Sequence, residues 1–430
     1  MKHIVFLVGE YMPFASANGN IAHSLIQELK KDYKITVVTR KNVFSLKRDC
    51  LVEGVRVIRF TDYNLCLHHY LSLKIRNSEK CYKRQWYRFL LTIKRIAFYV
   101  PRLIRMQSFS RKTKNKIKLE VERLNRDQKI DVIIPVSAPH EEVFAGVEIK
   151  KVLGQNVMLF IYQLDRYANN NLLYENSINR KIKYPNNLRL EVDAMNACDG
   201  LFILPALQEH YRNRMFEKYL SKIVVTEHPL VKEIDVLNRL QEEHCGAVNV
   251  LYAGSLYQKL RNPTYLFDIL CNDIFNDNKV VLYLYSFGNC QHIIDKYKER
   301  LSGKMHNFDR VSSEEITKIM LESDILLTIG NNSENEVPSK LFEYLSFCKP
   351  IIHLYYSEKD AYLEYLKSYP YSLCLKMDEN FLEHNSRTFH SFCIQNCDVK
   401  IDFEDIRESY MSCTPGYVAK QFVSLIENEQ

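Results

Sequence analysis

The sequence predicts an α/β protein of two doubly wound, Rossmann-like domains facing across a cleft. Three observations predict it. Short apolar runs alternate with segments of helical period through the N-terminal half, the pattern of βα units building a parallel sheet covered on both faces. The same alternation restarts at Val248 after a polar stretch. The chain is 430 residues long, more than one hydrophobic core ordinarily organises.

Taken in order, the run HIVFLV at 3–8 reads as a buried strand. A helix follows over 19–31, with Ile21, Leu25, Ile26 and Leu29 in helical period. Residues 35–39 and 55–60 read as strands. Beyond a basic segment, 131–136 is a strand, 140–153 a helix, and 157–162 and 200–204 are strands. A helix over 207–216 and a strand over 222–225 end this half. Residues 1–230 are therefore assigned to an N-terminal domain carrying a basic helical insertion near 61–126. The polar residues 231–247 read as a linker. A strand over 248–253, a helix from Pro263 to Leu270, a strand over 279–285 and helices over 293–301 and 313–321 open the second domain, assigned to 248–413. The last helix, 414–430, starts at Thr414-Pro415, a cap followed by proline at the first position. It is a candidate to cross back to the N-terminal domain.

The richest stretch is NNSENEVPSKLFEYLSFCKPIIH, 331–353, lying between apolar runs at 323–330 and 349–354. Runs flanking a helix in this way read as a βαβ unit. At about 100° per residue the helix sorts by face. Glu336, Ser339, Lys340 and Glu343 share one side; Pro338, Leu341, Phe342, Tyr344 and Leu345 share the other. The polar side lies at a strand's carboxyl edge, where open α/β sheets bind ligands and helix N-termini attract phosphate. The competing expectation is a solvated face with a Lys340–Glu343 pair worth about 0.2–0.5 kcal/mol.

Three further loops carry candidate chemistry. GEYMPFASANGN follows the first strand; Asn18 and Gly19 let the backbone approach a ligand, although the dinucleotide pattern G-x-G-x-x-G is missing. GSLYQKLRNP follows the first strand of the second domain; Gly254 permits close approach, Ser255 follows it, and Lys259 and Arg261 are placed to reach a diphosphate. Ser137-Ala138-Pro139-His140 follows another strand and offers His140 for acid–base work. Asp165 and Arg166 also end a strand.

Composition narrows the class. A hydrophobic content of 46% with 26% charged residues is that of a globular protein. The twelve cysteines are scattered without any C-x-x-C pair, which reads as buried thiols in a reducing compartment and not as a disulfide framework or zinc site. No apolar stretch reaches the roughly 20 residues of a membrane span, and the N-terminus lacks a signal-peptide pattern. The net charge of +7 is uneven: 61–116 holds fourteen Lys/Arg against two acids, a net +12, leaving −5 for the rest. Lys83, Arg84, Trp86, Arg88, Lys94 and Arg95 interleave with aliphatics there, the pattern of a basic amphipathic helix at an anionic membrane surface. A packed insertion with solvated cations is the alternative. No nucleic-acid-binding motif occurs.

The segment VPSKLFEYLSFCKPIIH resembles the nucleotide-sugar signature of glycosyltransferase family 4, of GT-B fold; VLYAGSLYQKLRNP resembles the opening of that family's C-terminal domain, and YMPFASANGNIAHSLIQEL followed by YKITVVTRK its N-terminal opening. The resemblance implies that Glu343 binds the donor's ribose and that backbone at Val337, Pro338 and Ser339 holds its phosphates. Where the family's Glu-x7-Glu pattern has its first glutamate, which contacts the sugar, this chain has Asn335 with Glu336 beside it. The family's Gly-Arg-Leu is Gly254-Ser255-Leu256, and its histidine after the fourth strand is missing, with His140 slightly later. Such departures resemble a divergent branch of the capsule and exopolysaccharide type. The resemblance implies transfer of a sugar from a nucleoside diphosphate to a lipid-linked or polysaccharide acceptor, with retention. No paired-Asp metal motif occurs, so no cofactor or metal is expected. The expected setting is cytoplasmic and peripheral, at the inner face of the membrane. Two rivals remain: a nucleotide-sugar epimerase on the same frame, and a scaffold that binds sugar nucleotides without catalysis.

Overall fold

The structure, a computed structural model, describes residues 1–78, 80–104, 107–170, 173–234, 246–309, 311–332 and 339–428. The chain folds as two units, Met1–Pro229 with Pro415–Gln430, and Leu230–Thr414. Both are α/β units on largely parallel sheets.

In the first unit the elements run β1 (His3–Val8), α1 (Ala17–Leu29), β2 (Lys34–Lys41), β3 (Asp49–Val52), β4 (Val55–Thr61), α2 (Tyr63–Arg76), α3 (Cys81–Ile104), α4 (Arg111–Asp127), β5 (Val132–Pro135), α5 (Glu141–Leu153), β6 (Met158–Gln163), α6 (Ser177–Ala197), β7 (Gly200–Ile203), α7 (Gln208–Tyr211) and β8 (Ile223–Val225). The sheet order is β3-β4-β2-β1-β5-β6-β7-β8. All six residues of β1 are buried, as a central strand with helices on both faces requires. β3 is an antiparallel edge strand. It meets β4 through Glu53 and Gly54, both at positive φ (48° and 82°), the two-residue turn that matches strand twist.

α6 has no counterpart among the expected elements. Its buried side carries Asn179, Lys183, Asn187 and Glu191 at four-residue spacing, with Pro185 inside the helix. The helical period is present, but polar residues carry it, so a search for apolar periodicity passes over it. The expected helix at 207–216 is the single turn α7 followed by 3-10 turns over Arg214–Lys222.

The second unit runs β9 (Val248–Leu256), α8 (Thr264–Leu270), β10 (Val280–Gly288), α9 (Gln291–Tyr297), β11 (Met305–Phe308), α10 (Ser313–Glu322), β12 (Ile325–Ile329), α11 (Lys340–Leu345), β13 (Ile351–Tyr355), α12 (Tyr362–Leu366), β14 (Ser372–Lys376), α13 (Leu382–Asn396) and α14 (Phe403–Ser409). Its parallel sheet has the order β11-β10-β9-β12-β13-β14. Val250, Tyr252, Phe267, Phe275, Leu282 and Phe389 lie in its core. The chain ends in α15 (Pro415–Asn428), a helix of the first unit. There Phe422 stacks on Phe202 with ring centroids 3.6 Å apart, and Lys2 and Tyr33 hydrogen-bond Glu427.

A buried ionic cluster fastens the basic insertion. Arg40, at the end of β2, donates to Glu142 Oε1 and Oε2 at 2.9 and 3.0 Å and to Glu141 Oε2 at 3.2 Å. It also lies 3.9 Å from Asp62, the N-cap of α2. Glu141 Oε1 accepts from the N–H of Ser110, the N-cap of α4. Both ends of the α2–α3 insertion are thus tied to the first turn of α5. Burial pushes the Glu142 carboxyl up to about 7, against the pull of Arg40.

Candidate functional site

In the second sheet the strand order turns between β9 and β12. At such a point the loops diverge and leave a crevice outside the strands' carboxyl ends. Here Arg261 bridges the two loops. Its Nε donates to Asn331 Oδ1 at 2.7 Å, and its Nη1 donates to Ser255 Oγ at 3.2 Å. Asn332 N–H donates to Leu260 C=O at 2.8 Å, closing the same pair of loops. Gly254 precedes Ser255; a Cβ there would sit 3.2 Å from the Tyr252 hydroxyl, which donates to the Ser255 carbonyl. Gly330 follows β12, and a Cβ there would fall 2.0 Å from Asp360 Oδ2. Beneath it His353 lies between Thr328 Oγ1 (2.7 Å) and Asp360 Oδ2 (3.3 Å). Lys259 is exposed on the same loop.

α11 packs Leu341, Phe342, Tyr344 and Leu345 inward. Tyr344 seats the helix against β9 through Ala253, whose N–H lies 3.4 Å from its hydroxyl. Ser339 occupies the N-cap position without a side-chain cap bond. Lys340 sits 5.5 Å from the Tyr344 ring centroid. Glu343 is on the outer side and half-buried, and its carboxylate accepts no hydrogen bond among the described residues. Burial pushes its carboxyl above the ordinary range, with Lys340 and Lys232 pulling against that rise. Lys232 had no place in the sequence expectation, which assigned it to a linker. Its N–H donates to Ser346 Oγ at 3.1 Å, and Ser346 donates to the Leu230 carbonyl at 3.0 Å, so this strand of chain lies along α11. No sequence signal marks it, since its position follows from one serine on the helix. Asn335, Glu336 and Pro338, with Val337, lie outside the described residues.

In the first sheet the order turns between β1 and β5. Gly19 sits in the first turn of α1, where a Cβ would fall 2.0 Å from the Glu10 carbonyl; its smallness serves an approach within the chain. The Asn18 amide faces the Ser137 and Ala138 carbonyls (3.0 and 3.3 Å) and Asp165 Oδ2 (2.8 Å). His140 is 5% exposed, lies against Tyr167 (ring centroids 4.5 Å apart) and has Nε2 3.2 Å from Gln163 Nε2. Burial pushes its imidazole down from the ordinary range. The structure therefore places His140 at the start of α5, closed in by Tyr167 and Gln163.

On α3, Lys83, Arg84, Trp86, Arg88 and Arg95 are exposed. Lys94 is partly covered and lies 5.7 Å from the Phe98 ring centroid. Tyr82, Trp86, Phe89, Ile93 and Ile96 alternate at four- and three-residue spacing, which places them on one side of the helix. All are exposed, Trp86 at 57%, Phe89 at 54% and Ile96 at 58%. Leu91, on the opposite side, is buried. α3 thus packs with one side and leaves an apolar stripe uncovered on the other. Among the described residues no helix is long and apolar enough to cross a membrane, and no three His, Cys, Asp or Glu are grouped to hold a metal.

No protein-family model and no curated protein matches this sequence. Solved structures do match in fold. The sucrose-phosphate synthase of Thermosynechococcus elongatus superposes over 100% of this chain and 99% of its own, with a TM-score of 0.61 at 10% identity. WaaG, a glycosyltransferase involved in lipopolysaccharide biosynthesis, matches over 99% of both chains at 0.56 and 11%. The trehalose-6-phosphate protein from E. coli, solved with UDP-2-fluoro glucose, matches over 99% of both at 0.57 and 10%. At these identities the likeness establishes the fold. That fold is the two-domain, Rossmann-like GT-B fold of glycosyltransferases, over the whole length of the chain.

Proposed function

We propose that the protein is a glycosyltransferase that moves a sugar, a hexose or a close relative, from a nucleoside diphosphate to a lipid-linked or polysaccharide acceptor, with retention. The observation that carries this reading is Arg261, held across the switch point of the second sheet by Ser255 and Asn331. As the glycosidic bond to the donor breaks, negative charge grows on the leaving diphosphate. A guanidinium already fixed by two hydrogen bonds answers that charge with little reorganisation. Lys259 and Lys340 add cations on the neighbouring loop and helix. Glu343 offers an unoccupied acceptor to the vicinal hydroxyls of a ribose, and Asn335 or Glu336 meets the sugar. The GT-B fold supports the reading, as does a structural neighbour solved with a UDP-sugar analogue. The capsule and exopolysaccharide branch is part of the proposal.

The uncovered stripe of α3, in a segment of net charge +12, supports a peripheral position on an anionic membrane at its cytoplasmic face. The eleven cysteines among the described residues are all free, which suits a reducing setting. Like charge on two copies of this segment disfavours self-pairing as the use of the stripe. The test is a panel of UDP-, GDP- and dTDP-sugars, read by thermal shift and by release of nucleoside diphosphate. A cognate donor at a hundred times its Kd stabilises the protein by about 2.7 kcal/mol. The absence of both a shift and release with every donor refutes the proposal.

A further inference from the structure

The geometry points to Asp165 as the residue that receives the attacking hydroxyl of the acceptor, with Asn18 as its positioning residue; this rests on the glycosyltransferase reading above. Asp165 stands two residues past β6, beside the point where the first sheet's strand order turns. Its backbone is fixed on both sides. The N–H groups of Leu164 and Asp165 donate to Ser137 Oγ at 2.9 and 3.3 Å, and its carbonyl accepts from Gln163 Nε2 at 2.5 Å. Its side chain is fixed at one end, where Oδ2 accepts from Asn18 Nδ2 at 2.8 Å. The same amide nitrogen lies 3.0 and 3.3 Å from the Ser137 and Ala138 carbonyls. The helix start after β1 and the loops after β5 and β6 therefore converge on one amide.

The other carboxylate oxygen, Oδ1, accepts no hydrogen bond among the described residues, and Asp165 is half-buried. A carboxylate with one oxygen locked and one open is an acceptor with a set direction. The group it fits is a hydroxyl donor, which is what an incoming sugar or lipid alcohol presents. Holding that hydroxyl before reaction removes part of the orientational cost of the transfer. His140 completes the support. A neutral imidazole, favoured by its burial, leaves Nε2 to accept from Gln163, whose other amide hydrogen goes to the Asp165 carbonyl. Asn18 and His140, which the sequence reading gave to donor and chemistry, thus act through Asp165.

The test compares wild type with Asp165→Asn, Asn18→Ala and Asn18→Gln. The donor is whichever UDP-, GDP- or dTDP-hexose the wild type cleaves, and the acceptor probe is octyl glucoside with a polyprenyl phosphate as second arm. Nucleoside diphosphate release is read with and without acceptor. Asp165→Asn is expected to lower acceptor-dependent kcat/KM by about 10- to 150-fold, the worth of a charged hydrogen bond. The Kd for the free nucleoside diphosphate should stay within about twofold, since it reports on the second unit. Asn18→Ala should show the same split, with Asn18→Gln partly restored. Acceptor-dependent release within threefold of wild type in Asp165→Asn overturns the assignment while leaving the glycosyltransferase reading intact. Absence of release by the wild type with every donor and both acceptors overturns both.

Discussion

Glu343→Gln separates a functional carboxylate from a structural one, because the two roles move stability in opposite directions. Burial pushes the Glu343 carboxyl above its ordinary value of 4.5. A carboxyl whose folded pKa is raised is disfavoured as an anion in the folded state. Its contribution is therefore most favourable below about pH 4.5 and worsens as pH rises through the folded pKa. Removing the charge should raise the unfolding temperature of the ligand-free protein at pH 8, and that advantage should vanish below about pH 4.5. Among the described residues the same carboxylate accepts no hydrogen bond, so the substitution breaks none there and removes only the attraction of Lys340 and Lys232. In the nucleotide complex it removes a charged acceptor from the ribose, worth about 1.5–3 kcal/mol. At 1.4 kcal/mol per tenfold, the Kd for the nucleoside diphosphate should rise by about 10- to 150-fold. The lower end is expected, since glutamine keeps one acceptor oxygen. The assays are differential scanning fluorimetry of the ligand-free protein across pH and calorimetric titration with UDP and GDP. A glutamine variant that loses stability, or binds the nucleotide as tightly as wild type, refutes the assignment.

Arg261→Ala should weaken nucleoside diphosphate binding by about 10- to 150-fold while sparing the free nucleoside; calorimetry with both ligands checks it, and Arg261→Lys should recover only part, because it lacks the guanidinium fork. Arg40→Ala strips the guanidinium from Glu142, which is 1% exposed, and should cost about 3–5 kcal/mol at pH 8. That loss should shrink toward pH 5, where Glu142, already pushed up to about 7, takes a proton; urea unfolding at both pH values checks the slope. Replacing Lys83, Arg84, Arg88, Lys94 and Arg95 by Gln removes five cations at about 1 kcal/mol each, so partition onto phosphatidylglycerol vesicles should fall by over a thousandfold with nucleotide binding unchanged. Persistent vesicle binding in a co-sedimentation assay would contradict the membrane role of α3.

The central strands were legible in the sequence because both their faces are covered. β1, β9 and β12 read as largely apolar runs, and each lies at or beside a switch point. Elements whose buried side is polar were not legible. α6 turns Asn179, Lys183, Asn187 and Glu191 inward, and α13 buries Asn385, Ser386 and His390 alongside Phe389 and Cys393. At these polar positions hydrogen bonds stand in for apolar contacts: Glu191 accepts from His210 and Tyr211, and Asn385 donates to Tyr265 and the Lys376 carbonyl. Such partners come from distant parts of the chain, so no local period announces them. β11 escaped notice for the opposite reason, as a four-residue edge strand with three of its residues exposed.

The candidate site shows the same division between residue type and residue role. Gly254, Ser255, Arg261 and Glu343 lie at the end of β9, on the loop after it and on α11, to which strand-and-helix spacing together with the family resemblance points. Asn18 and His140 stand at an equivalent edge of the first sheet, with residue types suited to ligand and proton chemistry. Yet the Asn18 amide is spent on Ser137, Ala138 and Asp165, and His140 is closed in by Tyr167 and Gln163. A polar side chain's availability is set by what the rest of the fold leaves unmatched, and that balance is invisible until distant loops are brought together. Asp165 makes the point in reverse. The sequence presents it only as one acid after a strand, whereas the fold locks one of its oxygens and, among the described residues, leaves the other without a hydrogen bond. In a site built from converging loops, the group with the unfilled hydrogen-bonding capacity is the one positioned to meet the substrate, and its neighbours of equal chemical promise are the means of holding it there.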